Sequence, residues 1–412
     1  PVAKGGYDPV PLALRNITLM KQVKILFFIA LSLFTLILVS CMPGGTQPAQ
    51  GWSGTAFDDG ILYIGSMDGR VMAVNSSTRD LEWSYTIARP PAGGMSCRQT
   101  ATSAIIYGTP AVDGDLVYVG TYSGKLYALN IATGVVRWNY PKEGYMGSIV
   151  CSPLVADGTV YVCSSNGKES DNKKRSRVYA LDTIYGEYKW RSDPLGEKLW
   201  LTPAIEGDTI YVSTFDGYLY VLSTEDGSLL PWRFEAEVGF VSSPVIYEDT
   251  IFVGSFDRNL YAVKIGDNKP LWKFSGGNWF WAVPLVRNSI VYAGCLDGKV
   301  YAIDINSGNE LWEFDAESPI VVSPILVNDS LVVASESGNV YIINSKTGES
   351  ERIKNSEEPG NDNRASIDAP IQASLCAQGA MAYVHAQDNC LYALDIERGK
   401  ITWKLPLTIK QE

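Results

Sequence analysis

From residue 51 onwards, short runs of hydrophobic residues alternate with turn residues, and no stretch shows the 3.6-residue spacing of a long helix. The runs Ile210–Ser213 and Leu219–Leu222 are rich in β-branched and aromatic residues, which favour strands. Asp-Gly pairs such as Asp216-Gly217 separate them and supply the positive φ of tight hairpins. Each unit of the pattern contains four such runs. The pattern therefore predicts four-stranded antiparallel sheets.

The same pattern recurs along the chain at intervals of 40 to 50 residues. A Pro precedes the first run of most units, at Pro110, Pro153, Pro203, Pro244, Pro284 and Pro324. A Trp closes most units, at Trp83, Trp138, Trp190, Trp232, Trp272, Trp312 and Trp403. Three units depart from it: Ser53-Gly54 and Ala373-Ser374 replace the Pro motif, and Arg352 replaces a Trp. Periods in this range indicate propeller blades. Residues 51–412 are predicted to form an all-β, eight-bladed β-propeller.

One motif within the repeat resembles a known family. Residues 128–138, 302–312 and 393–403 share Ala-x-[Asp/Asn]-x-x-x-Gly-x-x-x-Trp. It is similar to the tryptophan-docking motif of propellers with pyrroloquinoline-quinone-like (PQQ-like) repeats, whereas the signatures of WD40 repeats are absent. In physical terms, we expect the Gly to turn the chain, the Asp or Asn to cap that turn, and the indole to fill the space between blades.

The resemblance implies one of two functions. Quinoprotein dehydrogenases of this type hold a quinone and a calcium ion on the propeller axis. The cofactor-free branch resembles the BamB family of outer-membrane-protein assembly factors, which are lipid-anchored scaffolds. The modest length, the acidic composition and the absence of adjacent Cys residues favour the second branch. The expectation is a non-enzymatic scaffold without cofactor; a PQQ-dependent dehydrogenase and an extracellular sensory or adhesion propeller remain the alternatives.

The N-terminal region predicts export and lipid anchoring. Residues 1–19 are interpreted as an upstream extension. Residues 20–40 combine a basic start with an apolar run shorter than the roughly 20 residues of a membrane-spanning helix, which is typical of a signal peptide. The sequence Leu-Val-Ser-Cys41 resembles the bacterial lipobox, which implies acylation of Cys41. Residues 41–50 have the composition of a tether.

Composition narrows the chemistry further. The chain has 45 acidic and 34 basic residues, and its net charge of −11 argues against a nucleic-acid partner. It contains one His, His385, so His-based triads and zinc cages are poorly supported. His385 is expected to be a hydrogen-bonded structural residue. The Asp-Gly turns lack the spaced acidic ligands of calcium loops, so no metal site is predicted.

Six Cys residues follow Cys41, and none forms a zinc-ribbon or Cys-x-x-Cys pattern; they are Cys97, Cys151, Cys163, Cys295, Cys376 and Cys390. Cys151 and Cys163 flank the Asp157-Gly158 hairpin. A regular ladder with a two-residue turn would place their thiols on opposite faces, although a bulge could bring them together. Either Cys151 and Cys163 form a disulfide, or both are small residues of the hydrophobic core.

Two features are candidate partner-binding sites. Departures from the repeat length occur at residues 89–98, 168–177 and 349–368, and insertions of this kind lie on propeller rims and often bind partners. The second insertion is basic, with Lys173, Lys174, Arg175 and Arg177. The alternative reading of each insertion is a solvated loop without a partner.

The other feature is aromatic and precedes the channel-lining strands. Trp200 and Trp281 each lie three residues before a repeat Pro, and Trp279 adjoins Trp281. At a channel mouth these indoles could stack on an extended peptide or a planar ligand, although packing between blades explains them as well. The expected partners are other envelope proteins, including a β-barrel assembly complex, bound by a monomeric propeller. In a cell without an outer membrane, the protein would be on the outer face of the cytoplasmic membrane.

Overall fold

The computed structural model describes residues 51–88, 104–168, 174–196, 198–350 and 364–408. These residues form eight four-stranded antiparallel sheets, each built from four consecutive strands. The eight-bladed β-propeller predicted from the repeats is thus confirmed. The predicted upstream extension, signal peptide, tether and Cys41 lie outside the described residues, as does Cys97.

The strands are numbered in chain order. Blade 1 contains β1 (Thr55–Asp58), β2 (Ile61–Gly65), β3 (Arg70–Asn75) and β4 (Leu81–Thr86); blade 2 contains β5 (Ala111–Asp113), β6 (Leu116–Gly120), β7 (Leu126–Asn130) and β8 (Val136–Tyr140). Blade 3 contains β9 (Leu154–Ala156), β10 (Thr159–Lys168), β11 (Lys174–Asp182) and β12 (Tyr188–Arg191); blade 4 contains β13 (Ala204–Glu206), β14 (Thr209–Ser213), β15 (Tyr218–Ser223) and β16 (Phe234–Glu235).

Blade 5 contains β17 (Val245–Tyr247), β18 (Thr250–Gly254), β19 (Asn259–Lys264) and β20 (Trp272–Ser275); blade 6 contains β21 (Leu285–Arg287), β22 (Ile290–Gly294), β23 (Lys299–Asp304) and β24 (Glu310–Asp315). Blade 7 contains β25 (Ile325–Val327), β26 (Ser330–Ala334), β27 (Asn339–Asn344) and β28 (Arg364–Ser366); blade 8 contains β29 (Cys376–Gln378), β30 (Met381–Ala386), β31 (Cys390–Asp395) and β32 (Lys400–Pro406).

The first strand of each blade is the innermost one. The first strands of consecutive blades contact each other, as β5 contacts β9 and β13 contacts β17. The last blade meets the first in the same way, because β29 contacts β1. The eight first strands therefore surround a central channel. Within the described residues, no helix has the length and apolarity to cross a bilayer.

The ring closes by side-chain packing between blade 8 and blade 1. Leu62 and Ile64 share a buried cluster with Tyr383 and Trp403. His385, the only His of the chain, is 2% exposed, and its Nδ1 lies 2.9 Å from the Ser53 carbonyl oxygen. Because that oxygen can only accept, Nδ1 carries the proton. His385 is thus a hydrogen-bonded structural residue, as expected from the sequence.

The repeat Trp residues join neighbouring blades. The indole N–H of Trp83 donates to the Ile131 carbonyl at 2.8 Å, and Trp138 donates to the Thr183 carbonyl at 2.9 Å. Equivalent bonds to the next blade are made by Trp190, Trp232, Trp272 and Trp312. Burying an indole and satisfying its N–H together stabilise each blade-to-blade contact. Arg352, which replaces a Trp in the repeat, lies outside the described residues.

The Gly of the motif is required by the indole that lies against it. Gly134 has a φ of 67°, and a Cβ added there would lie 2.4 Å from Cε3 of Trp83. The Asp or Asn four residues before this Gly caps the turn, since the Asn130 Oδ1 accepts from the amides of Ala132 and Thr133. The roles predicted for the Gly, the Asp or Asn, and the Trp are confirmed.

Candidate protein-interaction face

One face of the propeller, here called the loop face, carries two kinds of segment. They are the loops that connect consecutive blades and the turns between the second and third strands of each blade. The two kinds are hydrogen-bonded to each other: the Phe256 amide donates to the Gly239 carbonyl, the Leu296 amide to the Trp279 carbonyl, and the Glu336 amide to the Pro319 carbonyl. Side chains from both therefore lie together around the channel mouth.

Four aromatic side chains form a continuous row over blades 4 to 6, here called the aromatic arc. Trp200 and Trp279 come from connecting loops, whereas Phe215 and Phe256 come from turns. The ring centroids of Trp200 and Phe215 are 5.6 Å apart, those of Phe215 and Phe256 are 5.5 Å apart, and those of Phe256 and Trp279 are 4.9 Å apart. All three contacts are edge-to-face, and all four rings are partly exposed.

The polar groups of the arc suit a partner with both apolar and polar atoms. The Lys198 ammonium lies 5.0 Å from the ring centroid of Trp200. The Trp200 Nε1 is buried and has no hydrogen-bond partner among the described residues. Trp281 is 39% exposed and forms no ring pair within the described part of the chain. The sequence suggested Trp200 and Trp281 as the pair of indoles at the channel mouth; the structure instead links Trp200 to Trp279 through two Phe residues.

Across the channel mouth, blades 7 and 8 carry polar groups. The Gln387 Nε2 donates to the Gln372 Oε1 at 2.6 Å, and the Gln372 Nε2 donates to the Glu336 Oε1 at 3.0 Å. Glu336 and Gln387 occupy the turn position that Phe215 and Phe256 occupy in blades 4 and 5. The loop face is thus apolar over blades 4 to 6 and polar over blades 7 and 8.

The described residues of the basic insertion belong to an extended hairpin in blade 3. Strands β10 and β11 pair as far as Lys168 and Lys174, with a bulge between Ser164 and Gly167. Arg175 and Arg177 lie two residues apart on β11 and therefore share one face of the strand. Lys173 lies outside the described residues, and Lys174 is described only as part of the strand.

A cleft of about 240 Å³ lies beside this hairpin. Its walls combine three Arg side chains with tyrosines and one acidic residue: Arg175, Arg177 and Arg191, Tyr140, Tyr145 and Tyr179, and Glu143. Burial raises the pKa of Tyr140, and the positive charge of Arg191 acts in the opposite direction. Guanidinium groups above aromatic rings recognise carboxylates and aromatic side chains, so this cleft suits an acidic segment of a partner protein.

The basic hairpin and the aromatic arc are physically joined. The Leu199 amide donates to the Ser165 Oγ at 2.8 Å, and the Leu195 amide donates to the Ser176 carbonyl at 2.9 Å. The Arg177 guanidinium also donates to the Ser192 carbonyl. The loop that carries Trp200 is therefore attached to the base of the basic hairpin.

Sequence reasoning found Trp200, Trp279, Arg175 and Arg177 but missed Phe215 and Phe256. Both Phe residues follow the second strand of a blade and precede an Asp, in the same slot of the repeat. That shared slot was the available signal. Phe215 and Phe256 lie in a different segment from the indoles that precede the repeat Pro, so those indoles do not indicate them.

The two cysteines that flank a hairpin are close together, although their thiols are not linked. Cys151 and Cys163 are both buried, and the Cys163 amide donates to the Cys151 Sγ at 3.3 Å. The regular ladder between β9 and β10 ends at Leu154 and Tyr161, and beyond it an irregularity brings the two residues together, which was one of the two alternatives left open by the sequence. Among the described residues, no group of three or more His, Cys, Asp or Glu is placed to hold a metal ion.

Comparison with known proteins places the chain in a family. A family model described as outer membrane protein assembly factor BamB matches residues 89–233, 174–272 and 232–366, which together make up more than half of the chain. The chain is 25% identical over 198 residues to BamB of Shewanella oneidensis, with 48% of this chain and 45% of that protein covered. It is 27% identical over 186 residues to BamB of Legionella pneumophila, covering 45% of this chain and 44% of that protein.

A different relative belongs to the other branch of propellers. The chain is 30% identical over 158 residues to the quinoprotein alcohol dehydrogenase PedH of Pseudomonas putida, covering 37% of this chain and 23% of that enzyme. The chain spans about half the length of the BamB relatives it matches.

Among solved structures, the crystal structure of BamB from Moraxella catarrhalis matches with a TM-score of 0.62 at 19% identity, covering 83% of this chain and 93% of that one. The computationally designed protein Ika8 matches with a TM-score of 0.64 at 15% identity, covering 85% of this chain and 97% of that one. At these identities the structures show the shared fold alone. The repeats, the docking tryptophans and the family model agree, and this chain belongs to the family of the outer membrane protein assembly factor BamB.

Proposed function

We propose that this protein is an envelope scaffold that binds another envelope protein through its loop face and assists the assembly of outer-membrane proteins. The family supports this role, because its described members carry that activity in their name. The partner we infer is the β-barrel assembly complex. A propeller suits such a role because its rigid ring holds binding loops in fixed positions.

The observation that carries the proposal is the presence on the loop face of the basic hairpin and the aromatic arc, whose loops are hydrogen-bonded to each other. Aromatic and Arg side chains dominate the binding energy of many protein interfaces, because they bury a large area with little loss of conformational freedom. Here Trp200 and Trp279 supply partly exposed indoles, and Arg175 and Arg177 supply charge close by. A partner with an apolar strand or loop and an acidic flank fits this surface.

Lipid attachment is the second part of the proposal. The predicted acylation of Cys41 would hold the propeller at the membrane, whereas the net charge of −11 disfavours direct binding of the chain to anionic lipids. Labelling cells with a radioactive fatty acid should mark the protein. In a Cys41→Ala variant, label and membrane association should both disappear; if both persist, the lipoprotein prediction is wrong.

The resemblance to PedH supports a quinone-dependent enzyme as the alternative. Calcium on a propeller axis requires several oxygen ligands. The described residues do not fit this metal, because they contain no group of acidic side chains suited to it. Incubation with pyrroloquinoline quinone and calcium should therefore give neither a bound chromophore nor dye-linked alcohol oxidation. Stoichiometric quinone binding would favour the enzyme.

The proposed function is tested by binding of the purified full chain to the purified barrel-assembly pore subunit. The parent protein should bind in a way that weakens with salt, because the basic hairpin contributes charge. A variant with the substitutions Trp279→Ala and Arg175→Glu should bind weakly, whereas the matched variant Gln372→Ala on the polar side should bind like the parent. Failure of the parent to bind at all would contradict the assembly role.

A further inference from the structure

One pair of equivalent positions recurs in every blade. It pairs a residue just before the first strand with the fifth residue of the second strand, twelve positions later. The eight pairs are Ser53 and Gly65, Gly108 and Gly120, Cys151 and Cys163, Leu201 and Ser213, Ser242 and Gly254, Ala282 and Gly294, Val322 and Ala334, and Ala373 and His385. Blade 3 is the one whose pair consists of two Cys residues.

The backbone geometry of this position is known from the other blades. A Cβ added at Gly65 would lie 2.9 Å from the Cβ of Ser53, and one added at Gly294 would lie 3.3 Å from the Cβ of Ala282. The Cβ atoms of a disulfide are about 3.5 to 4.5 Å apart. In blades 1 and 6, the two Cβ positions would thus be slightly closer to each other than the Cβ atoms of a disulfide.

The closeness results from a register shift before the first strand. In blade 3, the ladder pairs Leu154 with Tyr161, yet the preceding bridge pairs Ser148 with Ser165, which is a shift of two residues. In blade 5, the bridge between Phe240 and Ser255 is shifted equally against the ladder. The shift occurs across the residues around Cys151. It lets that residue face Cys163 instead of following the regular alternation of the ladder.

Contacts in blade 3 agree with this geometry. The Cys151 Sγ lies 3.3 Å from the Cys163 amide nitrogen and 3.5 Å from the Cys163 carbonyl oxygen, and both side chains are buried. The Cys163 thiol interacts with the Cys151 sulfur and thereby lowers the pKa of Cys151, while the same interaction and burial raise the pKa of Cys163.

We propose that Cys151 and Cys163 form a disulfide when the protein folds in an oxidising compartment. The reaction is thiol–disulfide exchange with an oxidised dithiol protein or oxidised glutathione. The Cys151 thiolate attacks one sulfur of the oxidant, breaks its S–S bond and releases one thiol. The Cys163 thiolate then attacks the Cys151 sulfur and releases the second thiol. Two hydrogens and two electrons pass from the cysteines to the oxidant.

The bond would lie at the base of the basic hairpin. Cys163 is two residues before Ser165, whose hydroxyl accepts from the Leu199 amide in the loop of Trp200. The disulfide would close a short loop across the first hairpin of blade 3, and such a closure stabilises by restricting the unfolded chain. It would therefore hold in place the blade that joins the two features of the loop face. The inference requires an oxidant but not the assembly role.

The test uses the full chain without any partner. The protein is reduced and unfolded, refolded in glutathione buffers of increasing oxidised fraction, quenched in acid, and labelled with N-ethylmaleimide in denaturant. Cleavage after Lys142 and Lys168 places both cysteines on the peptide of residues 143–168. We expect this peptide to be two hydrogens lighter than its reduced form and unlabelled. A peptide with two maleimides, or with glutathione on one Cys, at every buffer composition would overturn the proposal.

Matched controls come from the repeat itself. Ser occupies the Cys151 position in blades 1 and 5 and the Cys163 position in blade 4, so Cys151→Ser and Cys163→Ser each place a residue that the fold already uses there. Either variant should leave the remaining Cys open to maleimide. Reductant should lower the unfolding temperature of the oxidised parent and should not change that of the double variant. An equal response of the two proteins would also overturn the proposal.

Discussion

The two sides of the loop face have the same backbone hydrogen bonds and differ in their side chains. In blades 5 and 7, the turn residues Phe256 and Glu336 make the same amide hydrogen bond to the preceding connecting loop. Over blades 4 to 6 these turns and loops carry the aromatic arc, and over blades 7 and 8 they carry the Glu336, Gln372 and Gln387 chain. The repeat therefore determines the position of each side chain, whereas the residue type at that position differs between blades.

The largest effect on binding is expected from the aromatic arc. The double substitution Trp200→Ala and Trp279→Ala should weaken binding of the barrel-assembly pore subunit by at least about 2 kcal/mol, or roughly 30-fold in Kd, because buried aromatic anchors dominate interfaces of this kind. The measurement is a binding isotherm for each purified protein. Circular dichroism and thermal unfolding serve as the check that the ring stays folded. Unchanged affinity would remove the arc from the interface.

The basic hairpin should affect the rate of association. The variant Lys173→Glu, Lys174→Glu and Arg175→Glu should slow association about tenfold at low salt and lose its salt dependence, because electrostatic steering is removed. Arg177 is retained, since it also donates to the Ser192 carbonyl. Stopped-flow measurement at several salt concentrations gives the answer. An association rate equal to that of the parent at low salt would contradict a role for this hairpin.

A third prediction concerns the polar side, where blade 8 meets blade 1. Burial lowers the pKa of His385 below its ordinary value of 6.5, against smaller opposing effects from Ser53, Asn389 and Asp388. Below about pH 6.5 the unfolded chain binds a proton that the folded chain resists, so stability is complete above this pH and falls as the pH decreases. Chemical unfolding between about pH 7.5 and 5.5 should show this loss.

The matched variant is His385→Ser. In blade 4, Ser213 occupies the same position and donates to the Ser242 carbonyl at 3.1 Å, as His385 does to the Ser53 carbonyl. The Ser variant should keep a hydrogen bond and lose part of the acid sensitivity, while the contribution of Asp388 stays common to both proteins. An identical pH profile in parent and variant would contradict the assignment to His385.

The smallest effect is expected from the polar side of the face. Gln372→Ala removes the middle of the side-chain hydrogen-bond chain and should change partner affinity by less than about 0.5 kcal/mol. The same binding isotherm measures it. A loss of affinity equal to that of the arc variant would show that the whole rim of the channel binds the partner. The two sides would then not differ in binding.

The fold could be predicted from the sequence because its stabilising contacts repeat. Trp138 and Gly186 are needed together, since a Cβ at Gly186 would lie 2.4 Å from Cδ2 of Trp138. The same contact between the Trp of one blade and the Gly of the next is made by Trp83 and Gly134, Trp190 and Gly227, Trp272 and Gly308, and Trp312 and Gly348. A contact that recurs in most blades is visible in one sequence. The number of blades followed from counting the repeated unit, including the copies in which the Pro motif or the Trp is replaced.

The site was only partly predictable, because its members do not repeat. Trp200 and Trp279 stood out as unusual residues before a strand, but their contact through Phe215 and Phe256 depends on two other loops. The closeness of Cys151 and Cys163 depends on a register shift that the residue types of the hairpin do not predict. Long-range placement of this kind requires the assembled ring.

Photo-crosslinking in a cell that carries the barrel-assembly pore tests the central claim most directly. A photoreactive residue replaces either Trp281, which is 39% exposed beside the aromatic arc, or Gln387 on the polar side of the same face. The account predicts a crosslink to the pore subunit from position 281 and little or none from position 387. Equal crosslinking from both positions, or crosslinking from position 387 alone, would contradict it.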